Sequence, residues 1–507
     1  MKKRLHILIV VIVLCLAIPA SSVCASARSA GGTPIGTIVS APATVTSSDV
    51  LTDPVYLIYR SYLEENSEVA QALYDGLFAH QSRIDVSRFR IPTSHMRALM
   101  HLMTYSFPEM LCMSGYSYSY SVLDNTVQSI APTYSVEDPQ EKRSLFYEIA
   151  SSRYLSLIDD DMDDFTKAVI LHDALAINAH YADEDKMRLA DNITFMADGW
   201  GVCHQYTQCY AYLLGQCGIK SEIVQSSSMN HAWIKVLLDG SYYNVDLTWD
   251  DPRPDKAGKV SHQYFLYSDS AFRTADTATK RKSHDGFYTI HPSTSDKYDR
   301  FVNLHSISTQ LCYLNGAFFG ITSDGKLVRY DHLTDEITVL HLLPYKWPAG
   351  ENMSWIGNYS SLVPFNEKLY YNSPDEIYQY DPEKNQTELF AENDGDEKLY
   401  GLRLVDNQLW VVRADSPNEG FIAPTYLKDL PVPIDTLKIG NVDGDDSVTI
   451  FDATAIQRWL ARLSTPVFNK DAADCDGDGD VTIIDATAIQ RWLAGLPTSA
   501  RISESPT

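Results

Sequence analysis

Three side chains able to do covalent chemistry stand in the order Cys203, His231, Asp246. The segment ADGWGVCHQYTQCYAYLLGQCGI leaves a glycine-punctuated loop and enters an apolar period of three to four, through Tyr206, Tyr210, Leu213 and Leu214. Cys203 therefore opens a helix, where unpaired N–H groups and the helix dipole favour a thiolate over a thiol. Twenty-eight residues on, NHAWIKVLLDGSYYNVDLTWDDP reads as two strands joined at Asp239-Gly240, a dipeptide suited to a tight hairpin. His231 opens the first strand and Asp246 lies in the second. Adjacent antiparallel strands can bring an imidazole and a carboxylate into hydrogen-bond contact, so the set offers a nucleophile, a base and an orienter. Plainer readings suffice for the neighbours. A lone cysteine is ordinarily a small buried hydrophobe, which fits Cys209 and Cys217 on the same helix. His172, His204 and His262 read as structural, and Asp250 and Asp251 as turn residues ahead of Pro252.

A second chemistry is written twice near the C-terminus. The decapeptide DATAIQRWLA occurs at 452–461 and again at 485–494, an offset of 33 residues. An acidic loop precedes each copy, NVDGDDSVTIFD from Asn441 and DCDGDGDVTIID from Asp474. The first loop offers Asn441, Asp443, Asp445, Ser447 and Asp452, and the second Asp474, Asp476, Asp478, Asp480 and Asp485. These are oxygen ligands at calcium-loop spacing, each set running straight into a helix. Five carboxylates this close repel one another unless a cation lies among them; a merely solvated acidic turn does not account for the duplication. The second loop has Gly479 at its sharp turn where the first has Asp446, so the second is expected to bind more tightly.

The elements that must hold these residues fall into six segments. Residues 1–27 read as a signal peptide, with Lys2, Lys3 and Arg4, an apolar run to Ile18 and a small-residue site at Ala25-Ser26-Ala27. Residues 28–50 are small, polar and Pro/Gly-rich, a linker. Residues 51–150 carry helical periods in VYLIYRSYLEE and VAQALYDGLFAH, then a hairpin over 110–134 about Asp124-Asn125. Residues 151–300 hold the Cys–His–Asp set, entered through the helical FTKAVILHDALAINAHYA. Residues 301–430 repeat short aromatic strands, with Tyr330-Asp331 and Tyr380-Asp381 fifty residues apart and a weaker unit at QLWVVRAD. They fit either propeller blades or a small antiparallel sandwich. Their aromatics could bind sugar if exposed, although core packing is the commoner use. Residues 436–497 enclose the duplicated loops.

Composition limits the rest. Net charge is −25, or −28 once Lys2, Lys3 and Arg4 are removed, which disfavours nucleic acid and anionic membranes. Cys112, Cys203, Cys209, Cys217, Cys312 and Cys475 are scattered and contain no CxxC pair, which argues against a disulfide framework and against zinc. No stretch beyond the leader could span a bilayer, so an exported, soluble chain is expected.

Two resemblances follow from these motifs. GWGVCHQYTQCYAYLLGQCGI, NHAW and YYNVDLTWDDP resemble the nucleophile helix, histidine strand and aspartate strand of the bacterial transglutaminase-like superfamily, a papain-related fold, over about 160–285. The helices and hairpin from Leu51 are similar to the lead-in domain of secreted members. That resemblance implies Cys203 as nucleophile, His231 as general base and acid, and Asp246 as orienter. It leaves the oxyanion hole open, with the Cys203 amide as one donor and Trp200 as a flanking aromatic. Each acidic loop ends in Asp where an ordinary EF-hand has Glu, and no helix leads into it. This loop–helix form resembles a dockerin. It implies two calcium sites and docking onto a cohesin of a scaffoldin, in a cellulosome-type assembly devoted to polysaccharide breakdown. Gln457, Arg458 and Trp459 repeat as Gln490, Arg491 and Trp492, so the same face could be offered twice. The expectation is an α+β multidomain chain: a transglutaminase-like core, a β-rich repeat region and an α-helical dockerin. Its activity is expected on amide bonds, as a peptidase or amidase rather than a cross-linking protein transglutaminase, because water is abundant outside the cell. A non-catalytic adaptor binding through the β-rich region is the reading of a different class.

Overall fold

The computed structural model describes residues 25–27, 35–40, 68–106, 113–134, 140–183, 186, 191–347, 359–405, 408–415, 422–430, 438–444, 447–461, 468–498 and 501–502. The leader before Ala25, the helical period expected over 51–62, Cys112, and Asp445 and Asp446 of the first acidic loop lie outside them. The chain divides into two compact units, one of residues 1–150, 158–251 and 261–305, the other of 151–157, 252–260 and 306–507. Residues 51–150 and 151–300, expected as separate domains, therefore fall chiefly in one unit.

The first unit is mixed helix and sheet. Its first sheet is built on the hairpin Met113–Ser121 and Thr126–Tyr134, with Asn125 taking the positive φ of 58° that the turn requires. Ile35–Ser40 pairs with the hairpin's first strand and Ala25–Ala27 pairs with Ile35–Ser40. This corrects the linker reading at 35–40. The β-branched IGTIVS stretch pairs along the open edge that Tyr116 to Ser121 presents, and small flanking residues gave no sign of that partner. The helix Glu68–Phe78 follows the expected period, burying Val69, Ala70, Leu73 and Leu77.

The layer that matters for chemistry is one helix on one small sheet. Asp164–Asn178 is buried nearly throughout, N-capped by Asp163, whose side chain accepts from the Thr166 amide. Cys203–Gln216 packs against Asn192–Asp198 and against a three-stranded antiparallel sheet of Ser241–Val245, His231–Leu238 and Ser221–Ser226, in that order. The expected turn at Asp239-Gly240 is present, with φ of 50° and 78°. Ile223 pairs with Ile234 and Ile234 with Val245, so the three stand in one buried row across the sheet.

In the second unit, residues 306–430 form three successive antiparallel sheets of four, four and three strands. They are consecutive meanders, as blades would be, and not the two sheets of a sandwich. Leu327 and Ile321 of the first pack with Leu362, Leu369 and Tyr371 of the second, and Val363 and Tyr370 of the second with Leu402, Leu409 and Val411 of the third. The repeated Tyr-Asp pairs have a local cause. Tyr330 and Tyr380 are core residues, while Asp331 and Asp381 accept from amides two residues on and form the turns. Those tyrosines serve packing rather than sugar. The C-terminal helices Ile450–Leu460 and Ile483–Leu493 pack together over their own core of Val442, Val448, Ile456, Val481 and Ile489.

Candidate functional site

Cys203 is the first residue of its helix and 9% exposed. The approach is tightly built. Gly199 ends the preceding helix at φ 81°, where a Cβ would lie 1.9 Å from the Asn178 carbonyl oxygen. Trp200–Gly201 then pairs in parallel with His180–Tyr181, which delivers the chain to Cys203. The Gln205 side chain accepts from the Val202 amide at 3.1 Å, taking one of the N–H groups left over at the helix start. One turn later Thr207 reaches the Cys203 carbonyl at 2.5 Å and the Ala232 carbonyl at 3.3 Å, tying the cysteine helix to the strand beside His231.

Strand register does the rest. Val245 pairs with Ile234, so continuing the ladder by one sets Asp246 opposite Trp233, two residues from His231 and on the same face. His231 Nε2 donates to Asp246 Oδ2 at 2.6 Å. With Nε2 committed, Nδ1 is the nitrogen left to interact with Cys203, which is among the groups that raise the His231 pKa. Burial by itself lowers the pKa of this imidazole. The Asp246 carboxylate, with Cys203 beyond the ring, outweighs burial and raises it to about 10. Asp246 is fully buried, which favours its neutral form, yet His231 and a second histidine, His284, hold its pKa well below the ordinary range. Trp249 lies over His231 with ring centroids 5.3 Å apart. Cys203, His231 and Asp246, far apart in sequence, thus meet as one chain of contacts able to carry nucleophilic catalysis.

His284 was not legible in the sequence. It belongs to no repeat or strand, and the structure alone brings its Nε2 to 2.7 Å from Asp246 Oδ2. The reading of Asp250 and Asp251 as turn residues is corrected as well. Both are buried: Asp251 accepts from the Tyr206 hydroxyl, and Asp250 Oδ2 lies 3.3 Å from His172 Nε2. His172 and His262 are buried, and both meet Asp173, at 2.8 and 3.0 Å. Burial opposes the His172 cation, but Asp173 and Asp250 on either side of the ring raise its pKa to about 9. Burial alone lowers His204 to about 3. Cys209 and Cys475 are buried and Cys217 partly so, and none of the described cysteines is assigned to a disulfide.

The acidic loops share one local logic. Thr482 caps its helix, its side chain accepting from Ile484 N, while Asp485 reaches back to the Thr482 amide; Thr449 and Asp452 repeat the arrangement. Asp485 also accepts from Cys475 and Asp476 amides and Asp452 from Val442 and Asp443 amides, so the last carboxylate closes each loop on its start. In the second loop Asp474 accepts from Gly477, Asp478 and Gly479 amides, Asp476 from the Asp478 amide, and Asp478 from the Asp480 amide. Asp474, Asp476 and Asp478 each bring an oxygen within 4.8 Å of the others. An all-oxygen set of this density fits a hard cation such as calcium. In the first loop Asn441 accepts from the Gly444 amide, and Asp443 and Ser447 are also described. The Cys475 thiol registers the concentrated charge: burial, then Asp485, Asp452, Asp474 and Asp476, raise it to about 12.

No curated protein matches this sequence. Among solved structures, similarity extends to a "putative protease" from Parabacteroides distasonis (17% identity, TM-score 0.16, 24% of this chain and 28% of that one). It extends also to a TGase (13% identity, TM-score 0.18, 27% and 44%) and to BamB from Moraxella catarrhalis (14%, 0.18, 36% and 53%). The chain thus spans well under two thirds of the length of each, and likeness at these TM-scores assigns neither fold nor activity. Among the described residues no helix is long and apolar enough to cross a membrane. Residues 439–494 match the Dockerin type I domain family, so this part of the chain is a type I dockerin, a calcium-binding module that implies docking onto a cohesin in a cellulosome-type assembly.

Proposed function

We propose that the chain is a secreted, scaffold-docked thiol enzyme of transglutaminase-like type that cleaves amide bonds. The single supporting observation is the geometry around His231: one ring hydrogen-bonded to a fully buried carboxylate and close enough to the cysteine that opens a helix for that cysteine to raise its pKa. With the proton already on His231, the Cys203 sulfur attacks the substrate carbonyl as a thiolate, and the C–N bond breaks as the imidazolium protonates the leaving amine. The raised pKa of His231 keeps the ring charged at neutral pH, ready for that transfer. Water, deprotonated by the now neutral ring, then hydrolyses the acyl–Cys203 thioester. Asp246 holds the ring's tautomer and orientation throughout. The Cys203 amide, at the helix start, is an oxyanion donor by position.

The dockerin would hold this activity beside other enzymes. Asn441, Asp443, Asp445, Ser447 and Asp452 are the proposed ligands of the first loop, and Asp474, Asp476, Asp478, Asp480 and Asp485 those of the second. Calcium, when bound, neutralises the clustered carboxylates and rigidifies the helices that meet the cohesin. Iodoacetamide labelling at neutral pH tests the enzyme reading. Cys203 should react far faster than the buried Cys209; equal, slow labelling of the two would sink it and leave a non-catalytic adaptor. Proteomic profiling of plant and microbial proteins with wild type and Cys203→Ala would then identify the bond cleaved.

A further inference from the structure

We propose, on the thiol-catalysis reading above, that His284 is a positioning residue of the same centre. Its ring shares one oxygen of Asp246 with His231, and so sets how tightly Asp246 holds the His231 cation.

The geometry is specific. Asp246 Oδ2 receives His231 Nε2 at 2.6 Å and His284 Nε2 at 2.7 Å, while Oδ1 receives the Trp249 amide at 3.2 Å. His284 is 0% exposed. Phe272, Trp249 and Trp233 enclose it, with ring centroids 4.0, 4.4 and 4.8 Å away. Its Nδ1 is buried and meets no hydrogen-bond partner. A proton there would be unpaired in an apolar box, at substantial cost. The ring is therefore neutral and carries its one proton on Nε2, aimed at Asp246. The charged or titratable groups facing it are Asp246, His231, Arg281 and Tyr264. Burial depresses its pKa, and Asp246 only partly offsets this.

A neutral donor in this place has a chemical consequence. A carboxylate oxygen shared by two N–H groups gives less to each. Were Asp246 bonded to His231 alone, the imidazolium would be held more tightly and would be a poorer acid towards a leaving amine. His284 thus moderates the base, whereas a residue that only fills space would leave the His231 titration untouched.

The test is an imidazole titration of the full-length protein labelled at histidine, read by NMR. In wild type, His284 should stay neutral with its proton on Nε2 and a strongly downfield N–H signal. In His284→Phe, which fits among the surrounding rings, the His231 midpoint should move up by about one pH unit, the scale of one lost hydrogen bond to a charged group. His284→Gln, which keeps an N–H donor, should remain close to wild type. An unmoved His231 midpoint in folded His284→Phe overturns the assignment. So does a wild-type His284 that titrates like a free imidazole, a measurement that stands even if the variant does not fold. Iodoacetamide labelling of wild type separates the two levels. If Cys203 is inert, the thiol-enzyme reading fails and the catalytic meaning of His284 goes with it. If Cys203 is hyper-reactive and the midpoint does not move, the His284 assignment alone fails.

Discussion

At the scale of single residues, the centre works by opposing burial with charge. His231 and Asp246 are both withdrawn from water, and each keeps its ionic form because the other is there. Cys203→Ala should abolish turnover and leave the fold intact, since a methyl fits where the thiol was. His231→Ala should be nearly as damaging, and Asp246→Asn should retain more activity, because it disturbs orientation rather than removing a reactant. Circular dichroism beside a turnover assay checks all three, and full activity in Cys203→Ala would rule out the nucleophile assignment. Turnover should also follow a bell in pH and fail on the acid side as the coupled pair gains a proton. A rate flat from acid into neutral pH would count against Cys–His catalysis. Stability has its own pH dependence. The folded pKa values of His231 and His172 lie above the ordinary 6.5, at about 10 and about 9, so their contribution is complete below pH 6.5 and lost as pH rises through 9 to 10. Melting of the first unit should accordingly fall across that alkaline window, and a melting temperature unchanged from pH 6 to 10 would contradict it.

At the scale of elements, a few positions fix how the strands and helices meet. The helix Asp164–Asn178 is held to the short helix after Asp246 through His172 and Asp250. Asp250→Ala would leave the His172 cation short of a carboxylate in a dry interior, and should cost about 3–5 kcal/mol in denaturant unfolding. A loss under about 1 kcal/mol would mean that the pair is not ionic in solution. Gly199→Ala faces both a positive φ and the Asn178 carbonyl, and should cost about 2–4 kcal/mol while shifting the approach to Cys203. Legibility at this scale followed the kind of signal. The hairpins at Asn125 and Asp239-Gly240 announce themselves through turn residues, and the helices through their period. The strand at Ile35–Ser40 does not, because its reason is an edge elsewhere in the chain.

At the scale of the whole molecule, the type I dockerin over 439–494 implies a cohesin partner. Chelator should loosen residues 441–494 and calcium should restore them, since the carboxylates repel without the ion. The second loop, with five carboxylates to the first loop's three and with Gly479 at its turn, should bind more tightly. Two equal sites by calorimetry, or a tighter first site, would contradict that ranking. Docking onto a cohesin should need calcium and tolerate loss of one face. Changing Arg458 and Trp459 alone should weaken binding little, and changing Arg491 and Trp492 as well should remove it. Identical sequence has not produced identical packing. Trp459 is 38% exposed and stacks on Phe468, with centroids 5.1 Å apart, whereas Trp492 packs against the core. Circular dichroism of each variant therefore belongs with the binding assay. Loss of binding from the first pair alone, in a folded module, would leave one helix as the sole contact.

The sequence by itself determined whatever depends on local spacing. The acidic loops and their helices, the cysteine at a helix start, the histidine opening a strand and the tight turns are all set by neighbours within a few residues, where backbone sterics and hydrogen bonding act. Only the tertiary structure decided what depends on distance. It set His284 against Asp246, buried Asp250 and Asp251 among partners, and turned the repeated tyrosines of the β-rich sheets inward. The physical reason is the same in each case. A buried polar group must find a partner, and a flat ring must find a packed surface. Neither partner is bound to lie near in sequence.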